Sequence, residues 1–258
     1  MNVEHPCTIA AFDGGGTKMA GALVRYSAAD AAPTVDALRS VPTEAQRSGS
    51  AVLDTLASLV ADVVADAEDD VVGIGVGTAG LVDVRTGGIA FANELMPGWT
   101  GQPVAERLSA SLGLPVAVLN DVKAHALGEA RWGAARGAQT CFVIAAGTGL
   151  GGGIVANGRV LLGAHGFAGG LGRTPCPDAL GTPRACGTAS ELESIAAGSG
   201  IEARYVATGG ERLAGDEIAR RAADGEELAR RIMLEAGAVL GEAIATWTGL
   251  LDPERGVL

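Results

Sequence analysis

Apolar residues recur at two different spacings along the chain of 258 residues. Val52, Leu53, Leu56, Leu59, Val60, Val63 and Val64 follow the three-to-four rhythm of one helix face, with Ser48 or Ser50 placed to cap it. Residues 71–76 form a short apolar run that predicts a strand, and 104–112 predicts a second helix. After the Gly113-Leu114-Pro115 turn, 115–119 reads as another strand and 122–132 as a helix. Alternating strands and helices predict an α/β lobe over residues 1–119, followed by a second α/β lobe over 120–258. In the second lobe, helices are expected at 189–197 and 226–250. The longer one carries the stripe Leu228, Ile232, Ala236, Val239, Leu240, Ile244 and Trp247.

Two glycine-rich turns interrupt this pattern. Strands at 9–12 and 19–24 flank Asp13-Gly14-Gly15-Gly16-Thr17-Lys18. Three glycines leave no Cβ to keep a ligand from the backbone, so several N–H groups can converge on an anion. An aspartate beside that anion suits a cation lying between them, as at a Mg-nucleotide phosphate site. An ordinary glycine hairpin fits the segment equally well. The second turn, Gly147-Thr148-Gly149-Leu150-Gly151-Gly152-Gly153, follows a strand at 141–145. Its glycine spacing also fits a dinucleotide fingerprint, which requires a helix next and an acidic residue about 20 positions on. Instead 154–156 leads into Asn157-Gly158, a hairpin signal, and no acid occurs before Asp178. Strand, glycine turn, strand repeats the first arrangement.

Between the turns, Asn120 and Asp121 fall where a strand ends and a helix begins. An acid there commonly caps the helix. It is also where open α/β sheets place ligands, and an aspartate there could take a hydroxyl proton during attack on a γ-phosphate.

With these segments, the chain resembles the ROK family of sugar kinases and regulators, within the actin-like ATPase and sugar kinase superfamily. Asp13 to Lys18, Gly147 to Gly153, Asn120-Asp121, the run 75–83, Asn93 and the run 163–169 carry the likeness, which extends from about residue 9 to the end. The resemblance implies a two-lobed actin-like ATPase (ribonuclease H-like) fold with a central cleft. It implies ATP-dependent phosphorylation of a hexose or N-acetylhexosamine, of glucokinase or N-acetylmannosamine kinase type, with Asp121 as general base. Asn93, Asn120, Asp121 and Glu193 would bind the sugar. Asp13, Gly14, Gly15, Gly16, Thr17, Gly147, Thr148 and Gly149 would hold ATP, with Mg²⁺ bound to Asp13 through water. Lys18 could pair with a phosphate or point away along its strand. A cytoplasmic homodimer would complete the picture.

The departures are specific. Gly170 and Arg173 stand where the family has a glutamate and a histidine that touch the sugar, so sugar recognition is expected to be altered. That histidine normally joins three cysteines around a structural zinc. Here Arg173, Arg184 and Glu191 replace three ligands and Cys186 alone remains, so no zinc site is expected. An improvised set of His165, Cys176 and Cys186 lacks Cys-x-x-Cys spacing. The chain stops at Leu258, before the family's adenosine-binding turn. These departures open an alternative function, a catalytically impaired sugar or nucleotide sensor without a DNA-binding region.

Charge narrows the partners. Nineteen basic against thirty acidic residues give a net charge of −11, and the isoelectric point near 4.7 argues against nucleic acid. Lysine occurs only at Lys18 and Lys123, and the four cysteines are scattered, as expected of a reducing cytosol. No secretory signal is read at the N-terminus. The uncharged stretch 137–158 is long enough to cross a bilayer, but its turns predict two buried strands. Asp66-Ala67-Glu68-Asp69-Asp70 is expected to be a solvated connection.

Overall fold

The computed structural model of the protein describes residues 5–27, 32–93, 96–176 and 191–258. It divides into two compact units, Met1–Ala124 with Gly163–Phe167, and His125–Leu162 with Ala168–Leu258. The break therefore falls inside the helix after Asn120, where the sequence placed it at 119/120. The first turn of that helix is bonded into the first unit. Asn120 Nδ2 donates to the Gly80 carbonyl at 3.1 Å, and Lys123 Nζ donates to the Gly166 carbonyl.

The first unit is built on a hairpin of β1 (Cys7–Gly14) and β2 (Lys18–Tyr26), with β3 (Thr34–Pro42) antiparallel on β2. Helix α1 (Gly49–Ala65) follows, then β4 (Val71–Thr78), the small hairpin β5 (Leu81–Asp83) and β6 (Gly88–Phe91), α2 (Val104–Leu112), β7 (Val116–Asn120) and α3 (Asp121–Arg131). β4 runs parallel to β1, and β7 parallel to β4, giving the order β3-β2-β1-β4-β7. Ser48 caps α1, its Oγ accepting from the Ala51 N–H at 3.1 Å. The predicted stripe of α1 is buried from Val52 to Val63 and packs with Phe12, Met19, Leu23, Ile74 and Val76 of the sheet. Truncating one such core side chain to alanine costs about 2–5 kcal/mol, which fixes the sheet under the site.

The acidic run after α1 is anchored and not simply solvated. Arg39 donates to both Asp66 oxygens, from Nε at 2.7 Å and Nη2 at 2.9 Å, and Arg25 pairs with Asp69 and with Asp36. These pairs tie the α1–β4 connection to β2 and β3. They are exposed, so each contributes little to stability.

In the second unit, β8 (Thr140–Ala146), β9 (Leu150–Ala156) and β10 (Arg159–Val160) form an antiparallel meander, so the uncharged stretch is indeed two strands. A 3-10 turn at Leu171–Arg173 comes next. After the undescribed segment come α4 (Glu193–Ala196), α5 (Gly198–Ala207), α6 (Gly215–Ala223), α7 (Glu227–Leu251) and β11 (Arg255–Val257). β11 pairs in parallel with β8, giving the order β10-β9-β8-β11. The helix expected at 189–197 is short because Ala197 is extended (φ −85°, ψ 159°) and α5 begins anew. Ile232, Ala236, Ala243 and Trp247 of α7 face inward, and the Trp247 ring meets Phe142 edge-on, centroids 6.0 Å apart. Among the described residues no helix is long and apolar enough to cross a membrane.

Candidate active site

Gly14, Thr78 and Asn120 stand in one row across the C-terminal ends of β1, β4 and β7. That is the end at which parallel α/β sheets bind ligands. The row is locked from below: Thr78 is fully buried, and its Oγ1 donates to the Gly14 carbonyl at 3.2 Å. One residue back, Asp13 pairs with Gly77 across the sheet. A Cβ on Gly77 would lie 3.5 Å from Asp121 Cα. The missing side chain therefore lets α3 begin close to β1, on the face from which the Asp13 side chain projects.

Asp13 senses Asp121. Loss of hydration raises the Asp13 pKa above 3.8, the charge of Asp121 raises it further, and Lys18 lowers it. The residue as a whole is exposed. Asp121 is held rather than free to turn. Its Oδ1 accepts from Asn120 Nδ2 and from the Val122 N–H, each at 2.8 Å, while Oδ2 takes no hydrogen bond among the described residues. Asn120, and not Asp121, caps α3, its Oδ1 accepting from the Lys123 N–H at 3.3 Å. Both amide hydrogens of Asn120 go to protein acceptors, Gly80 and Asp121. It is thus a holder of Asp121. Asn93 is half-buried just beyond β6 in the same unit.

Lys123 is the one buried lysine here, 6% exposed, and burial lowers its pKa. Its bond to Gly166 draws the segment 163–167, with His165, into the first unit.

The first glycine turn is braced by a residue the sequence reading missed. Thr43, 1% exposed, donates from Oγ1 to the Gly15 carbonyl at 2.6 Å and from its N–H to the Thr17 carbonyl at 3.0 Å. No local spacing could have revealed it, since the contact joins residues 28 apart. Gly16 and Thr17 are exposed. A Cβ on Gly16 would meet only Met96 at 3.9 Å, whereas one on Gly15 would press on the Lys18 carbonyl at 3.2 Å. Gly16 therefore borders open space, and Gly15 is needed by the turn itself.

In the second unit the turn at Gly147–Gly149 is braced differently. The Gly147 and Thr148 carbonyls accept from the Gly198 and Ser199 N–H groups at the start of α5, at 2.8 and 3.2 Å. Glu193, expected at the sugar, accepts from the Leu150 N–H through Oε2 at 2.9 Å. A Cβ on Gly149 would come within 2.9 Å of that oxygen, while Gly147 has open space. Gly170 and Arg173 are exposed. Of the cysteines weighed for an improvised metal set, Cys176 is buried among Ile195, Ile201 and Tyr205. Arg184 and Cys186 lie outside the described residues.

Residues 9–258 match the ROK family model. The chain belongs to the ROK family. It is 32% identical over 237 residues to a glucokinase of Halalkalibacterium halodurans, covering 84% of this chain and 71% of that one. It is 34% identical over 242 residues to an N-acetylmannosamine kinase of Shigella boydii, covering 92% and 77%. With the bifunctional enzyme NanE/NanK of Brucella melitensis it shares 35% over 248 residues, and there the chain spans only 44% of the relative's length. Among solved structures, the ROK hexokinase of Thermus thermophilus superposes with a TM-score of 0.81 at 30% identity, over 96% of this chain and 80% of that one. The ROK glucokinase of Streptomyces griseus, in complex with glucose and AMPPNP, gives 0.78 at 26%, over 96% and 81%. The fold is the actin-like ATPase fold of these ROK kinases.

Proposed function

We propose that the protein is an ATP-dependent kinase of a hexose or N-acetylhexosamine, with Asp121 as its general base. The observation that carries this is the state of Asp121. One oxygen is fixed by Asn120 and the α3 backbone, and the other, unbonded among the described residues, can accept a hydroxyl proton. Such a base orients the sugar hydroxyl and takes its proton as the phosphoryl group transfers, typically contributing 10²–10⁴-fold. The glucokinase and N-acetylmannosamine kinase relatives, and the glucose and AMPPNP bound to the S. griseus enzyme, support the same substrates.

Asp13 beside Asp121 suits a divalent cation. Burial and then the Asp121 charge raise the Asp13 pKa; a cation would offset that charge, and both groups offer hard oxygen donors. Asp13 would hold Mg²⁺, which neutralises phosphate charge when bound. In the first unit the backbone of Gly14 to Thr17 would receive nucleotide phosphates; in the second, Gly147 to Gly149 is likewise proposed as a phosphate-binding turn. Lys18, whose charge already reaches Asp13, could pair with a phosphate. Asn93 and Glu193 remain proposed sugar ligands. The acidic chain works in the cytoplasm as a homodimer and does not bind nucleic acid.

Incubating the purified protein with ATP, Mg²⁺ and a panel of hexoses and N-acetylhexosamines, and measuring ADP, tests the reading. Turnover of at least one sugar is expected; none from any sugar overturns it. The exposed Gly170 and Arg173, at positions the family uses for the sugar, favour the second reading, a sensor. Its mark would be saturable sugar or nucleotide binding without turnover.

A further inference from the structure

We infer that Thr43 is a positioning residue of the nucleotide site: its hydroxyl sets the Gly15–Gly16 peptide so that the Gly16 N–H faces the phosphates. The inference rests on the nucleotide reading above.

In a planar trans peptide the carbonyl of one residue and the N–H of the next point in opposite directions. The Gly15 carbonyl is drawn to Thr43 Oγ1 at 2.6 Å, and Thr43 is buried. The Gly16 N–H must then point the other way, and Gly16 is exposed with no packing demand on its missing Cβ beyond Met96. A three-glycine turn has little of its own to choose this orientation, because glycine visits both signs of φ readily. Two bonds from one buried residue make the choice, since the Thr43 N–H also holds the Thr17 carbonyl. On the strand side, Thr78 and the Ala79 N–H hold the Gly14 carbonyl, each at 3.2 Å. Every bond named here turns a carbonyl inward, so the turn presents donors in advance of the ligand. Preorganised donors cost no reorganisation when negative charge arrives.

The test compares Thr43→Val, which keeps the shape and loses the hydroxyl, with Thr43→Ser, which keeps the hydroxyl. Calorimetry with Mg·ATP should show about tenfold weaker binding by Thr43→Val, the scale of one charge-assisted hydrogen bond. Thr43→Ser should stay within about twofold of wild type, and the sugar KM should change in neither. A merely structural role would lower the melting temperature of Thr43→Val and leave its Mg·ATP affinity unchanged. In the wild-type protein, the ¹⁵N-labelled Gly16 amide should show one of the largest shifts on adding Mg·AMPPNP, a readout that needs no variant. Equal Mg·ATP affinity in Thr43→Val and wild type, equal weakening in both variants, or an unmoved Gly16 amide overturns the inference. If wild-type protein binds no Mg·ATP at all, the nucleotide reading fails and takes this inference with it.

Discussion

The two glycine turns close hairpins of the same design, β1–β2 and β8–β9, yet they differ in charge and in what braces them. In the first, Asp13 stands just before the last strand residue; in the second the same place holds Ala145. Side chains from distant segments, Thr43 and Thr78, hold the first turn's carbonyls, whereas the N–H groups of α5 hold those of the second. The first unit also has β7 outside β4, and β7 delivers Asn120 and Asp121 beside Asp13. In the second, β11 is the edge of the sheet. The difference teaches that one backbone design can serve two electrostatic tasks. The first turn stands beside two carboxylates, Asp13 and Asp121, whereas the second is bordered at the same place by Ala145.

The comparison breaks most visibly at Asp121. Asp121→Asn should fold normally, bind Mg·ATP and sugar, and lose about 10²–10⁴-fold in kcat. Retention of more than about a tenth of wild-type turnover would put the base elsewhere.

Glycines sharpen it next. Gly16→Val intrudes only on open space, so Mg·ATP affinity should fall by about 10- to 100-fold with the melting temperature unchanged, the 1–3 kcal/mol typical of overpacking. Gly149→Val instead drives a side chain into Glu193 and should lower the melting temperature by about 2–10 °C. Identical behaviour of the two variants in calorimetry and thermal melts would erase the distinction between ligand-facing and packing glycines.

Glu193 comes third. Glu193→Ala leaves the Leu150 N–H of a buried residue unpaired, at about 1–3 kcal/mol, while Glu193→Gln can still accept. Chemical denaturation should separate the two. A raised sugar KM in Glu193→Gln at unchanged stability would show that the carboxylate also reaches substrate.

The smallest effect concerns Asp13. Its folded pKa lies above 3.8, so the folded state holds the proton more tightly than the unfolded one. Stability is therefore lost as pH rises from about 4 through the folded pKa. Asp13→Asn removes that loss and should raise the melting temperature slightly at pH 7 without Mg²⁺, the gain shrinking as pH falls toward 4. Added Mg²⁺ should stabilise the wild-type protein more than the variant. A variant that melts below wild type at pH 7 in metal-free buffer contradicts the electrostatic account.

Legibility followed packing. α1 was readable because its stripe faces one core, α7 because its stripe runs continuously past two, and α2, α3 and the strands of both hairpins because turns bound them. β3 was not readable: it is an exposed edge strand, so nothing forces its residues to alternate. α6 buries only Ile218 and leaves no stripe to see. At the site, Asp13, Asp121 and the glycines announced themselves through local motifs. Thr43 did not, and the run 75–83 marked Gly77 and Thr78 by family likeness without revealing what they do, because each of the three acts on a residue far away in sequence.

By itself the sequence determined which chemistry the chain can carry: two acids at strand ends, two glycine turns, and the family that combines them. Those are properties of short segments, and local backbone geometry is encoded locally. Only the tertiary structure decided how each group is held. It showed that Asn120 grips Asp121, that Glu193 braces the second turn, and that the helix after Asn120 begins in the first unit. It also gave Lys123 a buried carbonyl partner in a segment 43 residues away. Hydrogen-bond partners of buried polar groups are chosen by whichever donors and acceptors folding brings within about 3 Å, and that choice is not written in spacing along the chain.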